Sequence, residues 1–393
     1  MSTRNEIDLV EYRKRGEYLA RAGNCISCHT VENGKPMAGG LPFETPFGTL
    51  YSTNITPDPE TGIGTWSEQD FFNSLRQGVR PDGQHLYPVF PFTAFTKLTN
   101  SDITSLFAYL RTIEPVRQSA PENELRFPYN LRMLIGLWKN LYFEAGEFQA
   151  DPDQSDIWNQ GAYLVEALAH CGTCHSPRNR LGAIQPEFTM SGGEYLDQVP
   201  DGHYRLWSAP NLTGSDRGLG LWSPSHLREY LKTSRNAFLE SFGPMNEVIL
   251  NGTSHLTSDD IDLMVIYLKS LPAIETELTV RPDPQVIGRG RTVYNLHCGT
   301  CHLPTGEGDP EMAPRLNQGS LVVQSASPAS MINVILYGPQ LSNHSLDSQW
   351  RESMGEFQYL LDDEEVAAAA TYVRNSWDNS AGLVTPEQVA RQR

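Results

Sequence analysis

Apolar positions recur with helical spacing at the end of three stretches of the chain, and the three align without a gap. They run from Leu98-Thr99-Asn100-Ser101-Asp102-Ile103 to Tyr109-Leu110-Arg111, from Leu256-Thr257-Ser258-Asp259-Asp260-Ile261 to Tyr267-Leu268-Lys269, and from Leu361-Asp362-Asp363-Glu364-Glu365-Val366 to Tyr372-Val373-Arg374. Each predicts a closing helix of one repeated design. Thr99, Thr257 and Asp362 are expected N-caps, because a short side-chain oxygen takes up an unpaired N–H of the first turn. The acid three residues later suits the positive end of the helix dipole. The tyrosine one turn before each basic end offers an aromatic packing point. Amphipathic helices are also expected ahead of these, over Arg13 to Ala22, Trp158 to Leu168 and Gly288 to Leu296. The first two contain Gly16-Glu17-Tyr18-Leu19 and Gly161-Ala162-Tyr163-Leu164.

A second repeat precedes the first two closing helices. Asn54-Ile55-Thr56 is followed by Gly62-Ile63-Gly64-Thr65-Trp66-Ser67, and Asn211-Leu212-Thr213 by Gly218-Leu219-Gly220-Leu221-Trp222-Ser223. A dinucleotide fingerprint would need a leading strand and a third glycine, both missing here. The expected use is a tight turn into a helix capped by Ser67 or Ser223, with Trp66 and Trp222 as packing residues. Between repeats the composition shifts to proline and acid near Pro115 to Asp156 and Pro272 to Gln285, as in linkers. One apolar patch, Leu131 to Phe143, interrupts the first of these. It is too short to span a bilayer, and is expected as a helix packed between modules, with an interfacial or partner-docking helix as the alternative.

Each unit also carries Cys-x-x-Cys-His: Cys25-Ile26-Ser27-Cys28-His29, Cys171-Gly172-Thr173-Cys174-His175 and Cys298-Gly299-Thr300-Cys301-His302. The three copies use all six cysteines, so none is left for a disulfide. Two thiols at this spacing add across the vinyl groups of one haem, and the adjoining histidine reaches the iron as proximal ligand. Structural zinc would combine two such pairs, and a dithiol redox motif would not carry histidine after the second cysteine every time. Three covalent haem c groups are therefore expected, with His29, His175 and His302 on the iron.

Length agrees with about three modules of ~100–150 residues. The expected division is 1–120, 156–272 and 286–393, with linkers 121–155 and 273–285. The fold class is mainly α: three tandem class I cytochrome c-like haem domains with loop-rich connections, as 27 prolines and 32 glycines suggest. Covalent haem would enlarge the apolar core of each small module. The formal net charge of −17, from 30 basic and 47 acidic residues, disfavours nucleic acid and anionic lipid and favours basic docking patches. Haem attachment takes place outside the cytoplasm, so a secretory leader is expected. Met1 to Gly16 holds no apolar stretch, which places the numbering at or near a mature end. No segment reaches the ~20 apolar residues of a membrane span.

Methionine is the common sixth ligand and raises the potential. Met245, in Gly243-Pro244-Met245, and Met354, in Ser353-Met354-Gly355-Glu356-Phe357, lie in equivalent loops before the second and third closing helices and are the expected distal ligands. Met190, Met264, Met312 and Met331 read more simply as packing. No Ser/His/Asp set or paired carboxylates stand near any haem motif.

With these residues assembled, the chain resembles the three-haem cytochrome c subunits of membrane-bound periplasmic alcohol, aldehyde, gluconate and sugar dehydrogenases. The stretches that carry the resemblance are Ala38-Gly39-Gly40, Thr45-Pro46-Phe47-Gly48-Thr49, Asn54-Ile55-Thr56-Pro57-Asp58, Cys174-His175-Ser176-Pro177-Arg178-Asn179, Ala209-Pro210-Asn211-Leu212-Thr213, and Tyr372-Val373-Arg374 with Trp377. The resemblance implies a catalytic partner carrying flavin, pyrroloquinoline quinone or a molybdenum cofactor. It also implies electrons passing on to quinone or a downstream cytochrome or oxidase, and a periplasmic site at the inner membrane, held there through the complex or by peripheral association. Two features depart from the family. The C-terminal membrane-associating segment is absent or much reduced. Where relatives place a methionine between Tyr87-Pro88 and Pro91, this chain has Val89-Phe90. For the first haem the expectation is then a vacant or water-bound iron, with His85 second and Met37 third. The rival reading is a haem enzyme that reduces peroxide or binds a small gas at that open iron, with His85 or Glu44 as distal residue.

Overall fold

The computed structural model describes residues 2–199, 202–275, 280–309, 312–339 and 354–393. The chain is mainly helical and gathers into two compact units. Unit 1 comprises Met1–Thr173, Gln198–Tyr204 and Leu250–Met264; unit 2 comprises Cys174–Asp197, Arg205–Ile249 and Val265–Arg393.

In unit 1, α1 (Ser2–Ala22) packs lengthwise on α3 (Asn100–Leu110), with α2 (Glu68–Gln77) beside them. α1 begins well before the expected Arg13, because its early turns are exposed, as at Leu9 and Val10, and leave no amphipathic signature to read. Ser67 caps α2 and Thr99 caps α3 as the sequence suggested, the first through a full capping box with Asp70. The α1–α3 crossing depends on Gly16. A Cβ there would fall inside the Ser105 carbonyl and lie 2.7 Å from Tyr109 Cβ, so only glycine allows the approach.

A three-stranded antiparallel sheet that the periodicity did not announce joins β1 (Pro42–Thr45), β2 (Gly48–Tyr51) and β3 (Glu124–Leu125). Its strands are short and marked by Pro42 and Gly48, so they read as loop. α4 (Met133–Tyr142) follows, with Trp138 and the buried Lys139 turned inward and Met133, Leu137 and Leu141 exposed. Lys139 Nζ donates to the carbonyls of Gln77 and Gly78, at 2.5 and 2.8 Å, where α2 ends. α5 (Asp156–Ala162) runs on into a π-helical turn, Tyr163–Leu168. That turn accommodates one more residue between Gly161 and Cys171 than stands between Gly16 and Cys25.

Unit 2 contains the two-stranded ribbon of β4 (Gly193–Gln198) and β5 (Tyr204–Ala209), then α6 (Pro224–Thr233) and α7 (Pro244–Asn251). The closing helix α8 (Ser258–Ser270) follows, its residues up to Met264 belonging to unit 1 and the rest to unit 2. Trp222 is fully buried, stacks on Phe238 at 5.4 Å and donates from Nε1 to the Gly319 carbonyl at 2.9 Å. α9 (Pro284–His297) crosses α11 (Asp363–Arg374), with α10 (Ala329–Tyr337) and α12 (Pro386–Ala390) against α11. α9 starts four residues before the expected Gly288, because Asp283 caps it and Pro284 occupies the first helical position. Gly290 repeats the role of Gly16: a Cβ would enter the Ala368 carbonyl and lie 2.7 Å from Tyr372 Cβ. Val293, Tyr294, Leu336, Val366, Ala370 and Val373 form the core there.

Candidate haem-binding sites

Each Cys-x-x-Cys-His motif contains a short helical turn that follows a helical segment: Cys25–Cys28, Cys171–Thr173 and Gly299–His302. A helical turn brings residues three apart to one face, as two thiols meeting one planar ring require. Asn24 (φ 51°) and His170 (φ 42°), both left-handed, swing the chain from helix into motif in the first two copies. Burial pushes the Cys25 and Cys298 thiols up to about 11. Such thiols stay neutral and are poor structural metal ligands without an activating partner.

The three histidines share one arrangement. His29 Nδ1 lies 2.6 Å from the Thr53 carbonyl, His175 Nδ1 2.8 Å from that of Pro210, and His302 Nδ1 2.8 Å from that of Pro314. A carbonyl acceptor requires the proton on Nδ1, which fixes the tautomer and frees the Nε2 lone pair for a metal. Burial lowers the pKa of all three, so the neutral ligand form is favoured. Thr53, Pro210 and Pro314 were not singled out from sequence. The parallel Ala209-Pro210-Asn211-Leu212 and Ala313-Pro314-Arg315-Leu316 was the available signal.

The Asn-x-Thr repeats hold the acceptor loops. Asn54 Oδ1 accepts from Thr56 N and Oγ1, at 2.9 and 2.7 Å, while its Nδ2 donates to Val116 O at 2.7 Å. Asn211 does the same with Thr213 N and Oγ1, at 2.8 and 2.7 Å, and with Ile274 O at 2.8 Å. Each asparagine thus ties the chain leaving a closing helix to the loop that orients a histidine.

Two of the candidate methionines occupy one structural position. Met37 (φ 62°) and Met190 (φ 65°) are buried and left-handed; their N–H groups donate to Thr30 Oγ1 at 3.1 Å and Ser176 Oγ at 3.0 Å. Their carbonyls accept from Ile55 and Leu212, at 3.0 and 2.8 Å. Both belong to the loop that carries the proximal histidine. Met245 stands in the first turn of α7, after Gly243, whose backbone packs against the Trp207 ring. Met354 is half-buried, and the chain just after it is fastened by Phe357 N to the carbonyls of Ile335 and Leu336. Met264 is buried in α8 and Met331 in the α10 core, whereas Met312 is exposed.

His85 is held against α4. Its Nδ1 lies 3.1 Å from Lys139 Nζ, its carbonyl accepts from Arg132 at 2.8 Å, and its Nε2 is 3.0 Å from where a Cβ on Gly136 would stand. Glu44 Oε2 accepts from Thr49 Oγ1 at 2.6 Å on the β1–β2 pair. The Phe90 ring packs at a tilt on Phe95, centroids 5.6 Å apart.

The residues fit a bound acidic macrocycle. Trp207 Nε1 is buried with no hydrogen-bond partner among the described residues. It stands on β5, three residues before the carbonyl that holds His175, and it packs under the segment that leads to Met245. An orphaned buried N–H is costly unless a bound group satisfies it, and a haem propionate is such a group.

The cytochrome c family profile matches residues 14–114 and 287–377. The gluconate 2-dehydrogenase cytochrome c subunit of Pantoea cypripedii is 36% identical over 397 residues, covering 97% of this chain and 89% of the relative. The cytochrome c subunit of a quinone-type alcohol dehydrogenase of Gluconobacter oxydans is 35% identical, covering 97% and 82%. A nicotinate dehydrogenase subunit from Pseudomonas putida is 40% identical over 92% of this chain, which spans only 30% of that longer protein. No helix among the described residues is long and apolar enough to cross a membrane. Full-length similarity to such subunits, joined to the histidine geometry above, places the chain in the family of cytochrome c subunits of dehydrogenase complexes, which carry electrons on covalent haem and leave substrate oxidation to another chain.

Proposed function

We propose that the chain binds three haems c, through Cys25 and Cys28, Cys171 and Cys174, and Cys298 and Cys301, in three modules spanning 1–120, 156–272 and 286–393. The observation that carries this reading is the threefold recurrence of the histidine Nδ1-to-carbonyl tie, including in the second motif, which the family profile does not match. His29, His175 and His302 are the proximal ligands and Met245 and Met354 the distal ones. The haems supply one-electron chemistry at the iron. The protein holds each imidazole in one orientation, keeps the rings dry and spaces them along the chain.

For the first haem the reading is an iron without a protein donor on its distal side. Met37 repeats the position of Met190, in a module with a separate distal candidate, so that position is one of packing. Lys139 and Arg132 hold His85 on α4, and Glu44 is engaged by Thr49. These engagements also leave the peroxidase reading without a free distal acid–base residue.

The partner is a catalytic dehydrogenase subunit with a flavin, pyrroloquinoline quinone or molybdenum cofactor, and the acceptor a quinone or a downstream cytochrome or oxidase. The relatives named for gluconate and alcohol dehydrogenases support an organic hydroxyl substrate for the complex. The setting is the periplasmic face of the inner membrane. The test is stoichiometric: acid–acetone should leave the haem on the protein, and the pyridine haemochrome should give three per polypeptide. Two haems in fully matured protein would overturn the reading.

A further inference from the structure

We infer that the third module carries a docking face, built from the end of α9 and the loop before α11, that takes the same face of a second copy of this chain; the inference rests on the three-module reading. Within unit 1 the corresponding face is already filled twice. Tyr163, from the helix before the second motif, accepts from Thr99 N at 3.1 Å and donates to Asp102 at 2.6 Å, at the cap of the first closing helix. Tyr18, from the helix before the first motif, accepts from Thr257 N at 3.0 Å and donates to Asp260, at the cap of the second. Three residues beyond each tyrosine and two before each cap the exchange repeats: Glu166 pairs with Lys97 at 2.6 Å, and Arg21 meets His255 at 3.4 Å. All of these residues belong to unit 1. Each leading helix thus meets the other module's cap, the reciprocity of an isologous interface. Ala22 and Ala167, one residue past Arg21 and Glu166, are only 4% and 0% exposed.

The third module presents the same positions with other residues. Counted from Gly290 as the others are from Gly16 and Gly161, Thr292 replaces the tyrosines, Asn295 replaces Arg21 and Glu166, and Leu296 replaces the two alanines. Counted from the cap at Asp362, Leu360 replaces Lys97 and His255, and Tyr359 replaces Thr96 and Ser254. Leu296, Tyr359 and Leu360 are 71%, 92% and 61% exposed. Large apolar side chains thus stand in water at positions that are covered in the other two modules, which marks an interaction surface.

The chemistry of the face selects its occupant. Asp362 closes a capping box with its own Glu365, so this cap needs no tyrosine from outside. Glu364 is paired with Arg289 at 2.5 Å and Asp363 with Arg393 at 2.6 Å, which lowers the repulsion between two copies of a chain of net charge −17. What the face offers is apolar contact, and the shape that covers it in unit 1 is another module of the same design. A second copy supplies that shape, with Leu296 of each chain against Leu360 of the other.

Sedimentation equilibrium of the full holoprotein tests the face. The unmodified chain should approach twice its monomer mass as concentration rises. Leu296→Glu and Leu360→Glu, at positions exposed in the single chain, should each raise the dissociation constant roughly tenfold or more, because a carboxylate would be buried unpaired. Leu137→Glu, on the exposed stripe of α4, should leave it unchanged. An equimolar mixture of Leu296→Cys and Leu360→Cys should cross-link into mixed pairs on mild oxidation, and cross-links confined to like pairs would overturn the reciprocal register. A chain that is monomeric at every concentration, or a dimer indifferent to both glutamates, overturns the inference. If that monomer co-purifies with a larger subunit that Leu360→Glu sheds, the face belongs to the catalytic partner instead. A pyridine haemochrome count below three defeats the three-module reading, whereas a count of three in a monomeric chain defeats only the docking face.

Discussion

Two glycines in α9, two residues apart, should respond to the same substitution in opposite directions. Gly288 is exposed on a helix, and a Cβ there meets nothing within 4 Å. Gly288→Ala should therefore stabilise by about 0.5–1 kcal/mol, from helix propensity and a less flexible unfolded chain. Gly290 faces α11, and its Cβ would overlap the Ala368 carbonyl, which is backbone inside a helix and yields only if the whole helix moves. Overpacking of this kind costs about 1–3 kcal/mol or somewhat more, and the same propensity gain offsets it only in part. Since that gain is common to both, the two variants should differ by the overpacking cost itself, about 1–3 kcal/mol or somewhat more. Urea unfolding of the holoprotein followed by circular dichroism measures the difference. Because α9 delivers Cys298 and α11 carries Tyr372 and Arg374, Gly290→Ala should also shift the potential of the third haem, and Gly288→Ala should not. Equal stability for the two variants would refute the close-crossing argument.

Further outcomes follow from the sites. Met245→Ala should lower the potential of the second haem and remove its share of the weak sulfur-to-iron absorption at the red edge; an unchanged spectrum would remove Met245 as ligand. Burial lowers Lys139 to about 8 from an ordinary 10.5. Between those values the unfolded chain keeps a proton that the folded chain has released, so stability should rise with pH across that window and the rise should vanish in Lys139→Met. The isolated chain should accept electrons but oxidise no alcohol, aldehyde or sugar with an artificial acceptor, and turnover by the pure chain would contradict its assignment as a carrier.

Local features were legible in the sequence and long-range ones were not. The caps at Thr99, Asp362, Ser67 and Ser223 follow from side-chain oxygens near their own helix ends, a relation three residues long. The motif turns were legible for the same reason. Tyr18 and Tyr163 stood out as a repeat, yet their use could not be read, because their partners lie 242 and 61 residues away. The carbonyls of Thr53, Pro210 and Pro314 were hidden differently: a backbone acceptor leaves no mark on residue type, and only the resemblance between the flanking loops betrays it. The β1–β3 sheet escaped because strands of two to four residues have too few positions for alternation to register.

On the three-haem reading proposed above, the proximal and distal sides of the sites obey different constraints, and the first haem is where the modules are expected to diverge. On the proximal side one solution recurs, with histidine, carbonyl acceptor and buried neutral ring preserved three times. On the distal side the proposed donors come from different segments: Met245 from the first turn of α7 and Met354 from the stretch after α10, with the Phe90 loop at the corresponding place in the first module's sequence. There Phe90 and Phe95 pack ring against ring, and His85, the nitrogen donor the sequence offered, is tied to Lys139. To reach the iron, His85 would have to give up that tie, lose the acceptor position it offers Lys139, and leave a buried ammonium with two carbonyls in place of three partners. The reduced protein should therefore bind carbon monoxide at about one equivalent per chain, since a five-coordinate ferrous haem takes a sixth ligand and two methionine-ligated ones resist it. Lys139→Met, which frees His85, offers a second reading of the same geometry: if the released imidazole reaches the iron, carbon monoxide affinity should fall. Three low-spin haems and no carbon monoxide binding in the unmodified chain would show that a protein donor already occupies the first distal site, and that the packing of His85 on α4 does not keep that site open.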